Sequence, residues 1–585
     1  MALVPTTDQE SRMIVAPKIQ RRHVPAHSPW PDSVPSVLQR IYAARGVLSP
    51  AEAELKLARL LPLESLGGLD RATALLSEAI AEQQRIVIVG DFDCDGATGT
   101  AVAVRGLTML GARHVAYRVP HRITHGYGLS TALVEDLVGM EPDLLITVDN
   151  GIACHAGVAA AKARGWKVLI TDHHLPGSQL PVADAIVNPN LDGDAFPSKA
   201  LAGVGVMFYL LLALRQRLRA VGAFGDNQPD LSVLLDLVAV GTVADLVPLD
   251  YNNRLLVAAG LKRLRQGQGQ AGLRALAELA GRDLPKLVAS DIGFAIAPRL
   301  NAAGRLEDMA LGVECLLTDD TQRALELAAI LDGINAERRG LQQQMIDDAE
   351  TLVNSLPLDA EQLPAALALF DPSWHPGIVG LVASRLKDRM HRPVVAFAPA
   401  EPDSDLLRGS ARSVPGFHIR DALAAVDVAH PGLIERFGGH AMAAGLSLRA
   451  NRLEEFRSAF SLVALERLNA ESLQSLLLTD GELAPTEFSR ELAECLRLAG
   501  PWGQGFADPV FDNVFAVAQW RVLGERHLKM SLVPEQGGPS VSAIHFGGYA
   551  GEPPPARIHA AYQLELDDYR GRQDVQLLIR QWQPA

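Results

Sequence analysis

The sequence predicts an α/β chain in several parts: a parallel-sheet domain, a long connecting helix, a second smaller α/β domain and a closing five-stranded β-barrel. Three observations carry this prediction. Apolar, β-branched runs alternate with alanine-rich helical segments through the first half of the chain. The stretch Thr321 to Val353 then keeps helical period without a proline. Five short strand-like runs separated by turn signals fill the end.

Residues 1–60 form a leader rich in proline (Pro17, Pro25, Pro29, Pro31, Pro35), with a short helical pattern from Val37. No chemistry attaches to it, and it is expected to pack against the domain that follows, residues 61–315. There Ile86-Val87-Ile88-Val89 reads as a buried strand, and Gly90 breaks it. Asp91, Asp93 and Asp95 follow at alternate positions before Gly96. Three carboxylates so close repel one another, and a cation relieves that repulsion. A lone Asp-x-Asp is as readily a polar loop capping a strand.

Two similar loops tilt the balance. Leu144 to Val148 leads into Asp149-Asn150-Gly151, and Trp166 to Thr171 leads into Asp172-His173-His174. The segment Ala153 to Arg164 between them has helical period, so the order is strand, helix, strand. Functional loops of parallel sheets gather at the carboxyl ends of the strands, where these residues can converge. A fourth carboxylate, Asp245, follows the apolar segment Leu231 to Val240; alone it suits a helix cap or an ion pair, and beside the other loops it suits a metal ligand. Carboxylates with one or two imidazoles favour Mn²⁺ or Mg²⁺. Cys94, Cys154, Cys315 and Cys495 lack the spacing of a zinc site. The carboxylates exceed the need of one ion, so two ions are expected, and paired ions point to phosphoester or phosphoanhydride hydrolysis.

The series GDFDCDG, VDNG, DHH and GTVAD, in this order, resembles the DHH phosphoesterase superfamily. LAGVGVMFYL, PRLNAAGRL, WHPGIVG and FGGHAMAAGLSL extend the resemblance over nearly the whole chain, to the bacterial single-strand-specific exonucleases of that superfamily. The resemblance implies that Asp91, Asp93, Asp149, His173 and Asp245 bind metal, with Asp95 supporting the cluster. His174 and Asp172 would serve catalysis, with His174 assisting hydrolysis or contacting the scissile phosphate. Many members carry a His two residues before the Asp-x-Asp, where this chain has Val89. That departure implies a second ion held less tightly, or by water and substrate oxygens.

Residues 316–358 are expected to hold the connecting helix, ended by a proline-containing break from Ser355 to Pro364. Residues 359–464 again alternate strand and helix: Ala366 to Phe370, Gly377 to Met390, Pro393 to Ala398. They contain Gly409-Ser410-Ala411-Arg412-Ser413 and Gly438-Gly439-His440. Paired glycines let backbone N–H groups approach a phosphate, or simply make a tight turn. This domain resembles DHHA1, the accessory domain of the superfamily. By that resemblance Ser410, Arg412, Ser413, Gly438, Gly439 and His440 would hold a nucleic-acid strand and its 5′ end. Residues 465–585 carry the runs Val514 to Leu523, His527 to Val533, Val541 to Phe546, Ile558 to Leu566 and Asp574 to Trp582, which fit an OB-type barrel. Trp520, Phe546, Tyr562 and Tyr569 are either core aromatics or stacking platforms. Pro501 to Phe506 resembles a family linker motif, and locally it reads as a rigid turn.

The net charge over 585 residues is −14, the wrong sign for indiscriminate duplex binding. Local basic residues would have to receive phosphates. Candidates are Arg118, Arg122, Arg299, Arg305, Arg408 and Arg412, with Arg299 and Arg305 favoured because they bracket Asn301-Ala302-Ala303-Gly304, read as a loop. No apolar run approaches the ~18 residues of a membrane span, the N-terminus lacks a signal-peptide layout, and the unpatterned cysteines suit a reducing cytoplasm. The resemblance implies a metal-dependent 5′ to 3′ exonuclease that releases 5′-mononucleotides from single-stranded DNA in repair and recombination, beside a helicase and a single-strand-binding protein. A short-oligonucleotide or pyrophosphatase-like phosphohydrolase and a non-catalytic replication scaffold are the alternatives.

Overall fold

The computed structural model describes residues 17–122, 124–225, 227–355, 364–469, 472–549, 551–567 and 574–585. These residues divide into two compact units. The first comprises residues 24–336 together with 495–508, and the second 17–23, 337–494 and 509–585. A short strand at the start, β1 (Lys18–Arg21), belongs to the second unit.

The first unit is built on a five-stranded sheet of β2 (Ile86–Gly90), β3 (Val115–Arg118), β4 (Leu144–Val148), β5 (Lys167–Thr171) and β6 (Ala185–Val187). The strand order is β3-β2-β4-β5-β6 and every pairing is parallel. β2 and β4 are buried throughout, as expected for apolar runs covered on both faces. Helices Thr131–Asp136 and His155–Ala163 help cover one face, through a core that includes Val87, Leu133, Leu145 and Val158. Helices Cys94–Met109 and Gly203–Ala220 pack on the sheet as well as on each other. β3 and β6 are too short and too ordinary in composition to stand out in the sequence.

Two segments outside the sheet also join this unit. The helical pattern from Val37 is helix Ser36–Ala43, and it packs in this unit: Val37 and Ile41 are buried, and the Tyr42 hydroxyl donates to Ala499 O at 2.8 Å. The segment Pro501 to Phe506 is more than a turn. It returns to this unit, where Leu249 N–H donates to Gln504 O at 2.7 Å and Trp502 stacks on Phe506 with centroids 5.1 Å apart. Two large rings need apolar surface to bury against, which a solvated linker lacks.

A 35-residue helix, Thr321–Ser355, follows. The break from Ser355 to Pro364 falls largely on residues outside those described. The second unit then holds a five-stranded sheet of order β10-β11-β9-β8-β7, formed by β7 (Leu367–Phe370), β8 (Val394–Pro399), β9 (Leu406–Arg412), β10 (Arg436–Gly439) and β11 (Ala443–Arg449). Helices Ile419–Ala429 and Leu453–Arg467 cover it through Phe397, Phe456 and Phe460. β1 pairs in parallel with β12 (Leu476–Thr479). Strands β13 (Phe511–Leu523), β14 (His527–Pro534), β15 (Val541–His545), β16 (Arg557–Asp567) and β17 (Asp574–Pro584) close into a barrel of order β13-β14-β15-β17-β16. The five barrel runs expected from the sequence are these strands. No helix among the described residues is long and apolar enough to cross a membrane.

Candidate metal centre

The register of the parallel sheet decides what meets at its edge. Gly90 pairs with Val148, and Val148 with Thr171. The residues that follow, Asp91, Asp149 and Asp172, therefore emerge side by side at the carboxyl ends of β2, β4 and β5. Asp149 adopts a left-handed backbone, φ 63°, a strained geometry typical of functional turns. Gly203 makes this turn possible by packing against it: a Cβ there would lie 2.5 Å from the Asp149 Cβ.

The carboxylates divide into two kinds. Asp93 and Asp95 hold helices. Asp93 Oδ1 accepts Gly96 N–H at 3.0 Å as the cap of helix Cys94–Met109. Asp95 accepts Gly203 N–H at 2.6 Å and Val204 N–H at 3.0 Å at the start of the next helix. Burial and the nearby Asp93 push the Asp95 carboxyl up to about 7, against the pull of those two N–H groups. Asp91 Oδ1, Asp149 Oδ1 and Asp245 Oδ2 are instead buried and accept no hydrogen bond among the described residues. His173 Nε2 stands between the last two, 3.0 Å from Asp149 Oδ1 and 3.4 Å from Asp245 Oδ2. Asp245 directly follows helix Leu235–Ala244, as its C-terminal cap residue.

Burial raises the Asp91, Asp149 and Asp245 carboxyls far above their usual range, and the neighbouring carboxylates raise them further. Such a cluster is self-repelling until a cation neutralises it. Three groupings of donor atoms each fall within 4.8 Å of one another: Asp91, Asp93 and Asp149; Asp95, His173 and Asp245; Asp149, His173 and His174. Oxygen-rich donors with imidazole nitrogen fit a hard divalent ion, and more than one grouping accommodates a pair. Val89, where a His stands in many DHH proteins, is buried in β2 and contributes no donor.

Asp172 belongs to none of these groupings. Its Oδ1 takes N–H bonds from His173 at 2.8 Å and His174 at 3.0 Å and lies 2.7 Å from His174 Nδ1; its Oδ2 takes Ile152 N–H at 2.9 Å. Burial acts to raise this carboxyl, but the His174 hydrogen bond and charge outweigh it and hold it below its usual value. His174 responds in kind: burial lowers it, and Asp172 more than restores it. Three supporting residues escape sequence reasoning. Asn188 Nδ2 donates to His174 O at 2.9 Å and Asn190 Nδ2 to His173 O at 2.5 Å, from the loop after β6. The Tyr127 hydroxyl donates to Asp149 O at 3.1 Å and lies 3.4 Å from His174 Nδ1. Two Asn flanking a proline after a strand are the available signal for the first two; Tyr127 offers none.

The expected strand-binding residues fare unequally. Arg122 reaches the cluster, its guanidinium 3.8 Å over the Phe92 ring and its Nε donating to Gly304 O at 2.9 Å. Arg299, Asn301 and Arg305 do not lie on a loop: they belong to helix Ala297–Leu306. Pro298 comes just after the π-helical turn Ile292–Ile296, and Gly304 packs so tightly on Phe92 O that a Cβ would lie 1.8 Å away. Arg299 is tied to Asp332 at 2.8 Å, and Asn301 Oδ1 accepts Cys94 N–H at 2.8 Å. Asn301 thus steadies the aspartate loop. In the second unit, strand alternation puts Arg408, Ser410 and Arg412 on one face of β9, with Arg412 Nη1 donating to Ser410 Oγ at 2.9 Å. Gly438 aligns with them through Gly445, and Gly439 and His440 continue the same hairpin. Gly380, in the WHPGIVG stretch, packs on this pair, since a Cβ there would lie 2.9 Å from both side chains. Ser413 is the exception: it is buried, and its hydroxyl donates to Phe417 O at 2.5 Å. On the barrel, Trp520 and Phe546 are exposed, and Trp520 stacks on Tyr549 with centroids 6.3 Å apart. Tyr562 is core, its hydroxyl donating to Asn513 Oδ1 at 2.6 Å. Tyr569 lies outside the described residues.

Comparison with known proteins agrees with this arrangement. The DHH family, N-terminal domain, matches residues 85–242, the DHHA1 domain residues 363–465 and the RecJ OB domain residues 479–581. The single-stranded-DNA-specific exonuclease RecJ of Dickeya dadantii (strain 3937) is 50% identical over 570 residues, covering 96% of this chain and 99% of its own. The crystal structure of RecJ in complex with Mn²⁺ from Thermus thermophilus superposes with a TM-score of 0.80 at 31% identity, covering 97% of this chain and 80% of that one. The same organism's RecJ in complex with Mg²⁺ gives 0.74 at 30% identity, over 97% and 79%. With an identity of 50% over nearly the full length of a RecJ and three matching domains in the same order, the chain belongs to the RecJ family of DHH proteins.

Proposed function

We propose that this chain is a metal-dependent exonuclease specific for single-stranded DNA. It degrades from the 5′ end, releases 5′-mononucleotides and acts in repair and recombination beside a helicase and a single-strand-binding protein. One observation carries the chemistry: Asp91 Oδ1, Asp149 Oδ1 and Asp245 Oδ2 are buried and accept no hydrogen bond from the described residues, at the edge of a parallel sheet. The cofactor is Mn²⁺ or Mg²⁺, bound as two ions that stabilise charge on the phosphoryl oxygens and lower the pKa of water.

The protein's own contribution is position and charge. Asp91, Asp93, Asp149, His173 and Asp245 supply ligands, and Asp95 locks the two helices behind them. Asp172 holds His174 in one orientation, with its Nδ1 turned to the carboxylate, so that Nε2 faces outward to a phosphate oxygen or the leaving group. Arg122, stacked on Phe92, places a cation beside Asp91 and Asp93 and meets the phosphate backbone. Ser410, Arg412, Gly438, Gly439 and His440 bind the strand on the accessory sheet. Trp520, Tyr549 and Phe546 stack bases on the barrel. A phosphohydrolase of dinucleotides or pyrophosphate has no use for such a platform.

The test is digestion of a long single strand labelled at either end, in Mn²⁺ and in EDTA. The expected result is metal-dependent loss of the 5′ label first, as mononucleotide, with duplex spared. His173→Ala and Asp149→Ala abolish this hydrolysis and keep strand binding. Near-normal turnover in either variant removes the site assignment, and 3′-first loss removes the polarity.

A further inference from the structure

The first unit contains a second pocket that shares no residue with the aspartate cluster. Its volume is about 430 Å³, and its walls include Arg45, Glu52, Leu249, Tyr251, Arg254 and Phe506. Arg254, in the first turn of helix Tyr251–Arg265, is only 5% exposed. Its Nε is buried without a hydrogen bond, and among the described residues its guanidinium makes neither an ion pair nor a hydrogen bond. The two acids on the pocket wall are engaged elsewhere. Glu52 Oε2 accepts Leu48 N–H at 2.8 Å; Asp250 accepts the Ser198 hydroxyl at 2.5 Å and Asn253 N–H at 2.9 Å.

A buried charge without a partner is costly, and a fold that retains one usually presents it to a ligand. Phe506 covers one face of the Arg254 guanidinium, 4.1 Å from its ring centroid, and Tyr251 stands 5.8 Å away. With the Phe506 ring against one face, the guanidinium keeps its edge for bonding, in the fork geometry that suits phosphate oxygens. Arg45 brings a second guanidinium to the wall, anchored by its bonds to the carbonyls of Ile41, Ala507 and Asp508. The other walls, Leu249, Tyr251 and Phe506, are apolar or aromatic, and the volume is that of a small-molecule site.

We propose that this pocket is a binding site for a nucleoside 5′-monophosphate, with Arg254 on the phosphate and the aromatic walls around the base. The site is separate from the metal centre, and the choice of nucleotide over other phosphate monoesters rests on the exonuclease reading, whose product it is. The Pro501 to Phe506 stretch then has a role of its own: it carries Phe506 back to complete the pocket.

The test is calorimetric titration of the metal-depleted full chain with thymidine 5′-monophosphate, inorganic phosphate, thymidine and N-acetylphenylalanine. Thymidine monophosphate should bind, phosphate more weakly, and the other two not at all. Loss of a charge-assisted bidentate contact in Arg254→Met should weaken binding by about tenfold or more. Glu52→Gln, which keeps an acceptor for Leu48 but removes a repelling charge, should strengthen it by about two- to fivefold. Asp149→Asn should leave it unchanged. Opposite responses of two variants cannot come from misfolding. Absence of binding, indifference to both variants, or loss in Asp149→Asn overturns the site. Phosphate binding as tightly as the nucleotide, or preference for N-acetylphenylalanine, overturns the ligand. The exonuclease reading fails separately, by absence of single-strand hydrolysis in Mn²⁺.

Discussion

His174 Nδ1 lies 2.7 Å from Asp172 Oδ1, and the same oxygen takes the backbone N–H of both His173 and His174. One carboxylate therefore sets the ring of His174 and the backbone of the histidine pair, while His173 turns its Nε2 to Asp149 and Asp245. Asp172→Asn keeps the shape but replaces an acceptor oxygen. It should lower turnover by about 10–100-fold, as outer-shell partners do, while Mn²⁺ still binds. Steady-state kinetics beside a metal titration checks this; equal loss in His174→Ala and in the double variant would place both residues in one unit.

Tyr127 spans Asp149 O and His174. Removing its hydroxyl deletes a hydrogen bond of about 1 kcal/mol. Tyr127→Phe should therefore lower turnover only severalfold and leave strand affinity intact, measured on a labelled oligonucleotide.

Asn301 is a strand-binding candidate by sequence, yet its Oδ1 holds Cys94 N–H in the aspartate loop. Asn301→Ala should lose about 1–2 kcal/mol of stability. It should also weaken Mn²⁺ binding more than strand binding measured in EDTA. A selective loss of strand affinity would restore the strand-binding role.

Arg299, likewise, spends its guanidinium on Asp332 and Ala295 O. Arg299→Met should shift thermal unfolding without changing the salt dependence of strand binding, whereas loss of a phosphate contact would reduce that slope by about one.

Asp512 sets a pH dependence in the second unit. Burial acts to raise its carboxyl, but hydrogen bonds from Arg21, Thr479 and His559 outweigh it and hold it below the usual value. A depressed carboxyl stabilises the fold fully above its unfolded pKa, about 4, and that stability disappears as pH falls through the lower folded value. Asp512→Asn should cost about 1–3 kcal/mol at pH 7. Its deficit should shrink as pH falls below about 4 and vanish once pH is below the folded value, followed by urea unfolding across pH.

Much of this is legible in the sequence, for identifiable reasons. β2, β4 and β5 announce themselves because buried parallel strands must be continuously apolar, and their terminal aspartates stand out against that background. The barrel strands are legible through turn signals. Helix Ala297–Leu306 is not: Asn301, Gly304 and Pro298 are all poor helix formers, and tertiary contacts hold it, Gly304 on Phe92 O, Asn301 on Cys94 N–H and Arg299 on Asp332. Ser413 and Tyr562 mislead because polarity and aromaticity do not say which way a side chain faces; burial does.

By itself, then, the sequence determined the order of the main buried strands and of the barrel strands, the candidate donor residues and the hardness of the cation they suit, because these follow from local patterning and from side-chain chemistry. The tertiary structure alone decided which donors are spoken for. The paired register of Gly90, Val148 and Thr171 brings Asp91, Asp149 and Asp172 into one row. Contacts from distant segments then assign Asp95 to a helix start, Asp172 to His174 and Asn301 to the loop. The partner of a hydrogen bond can lie more than a hundred residues away, as Gly203 does from Asp95, and no local pattern records it.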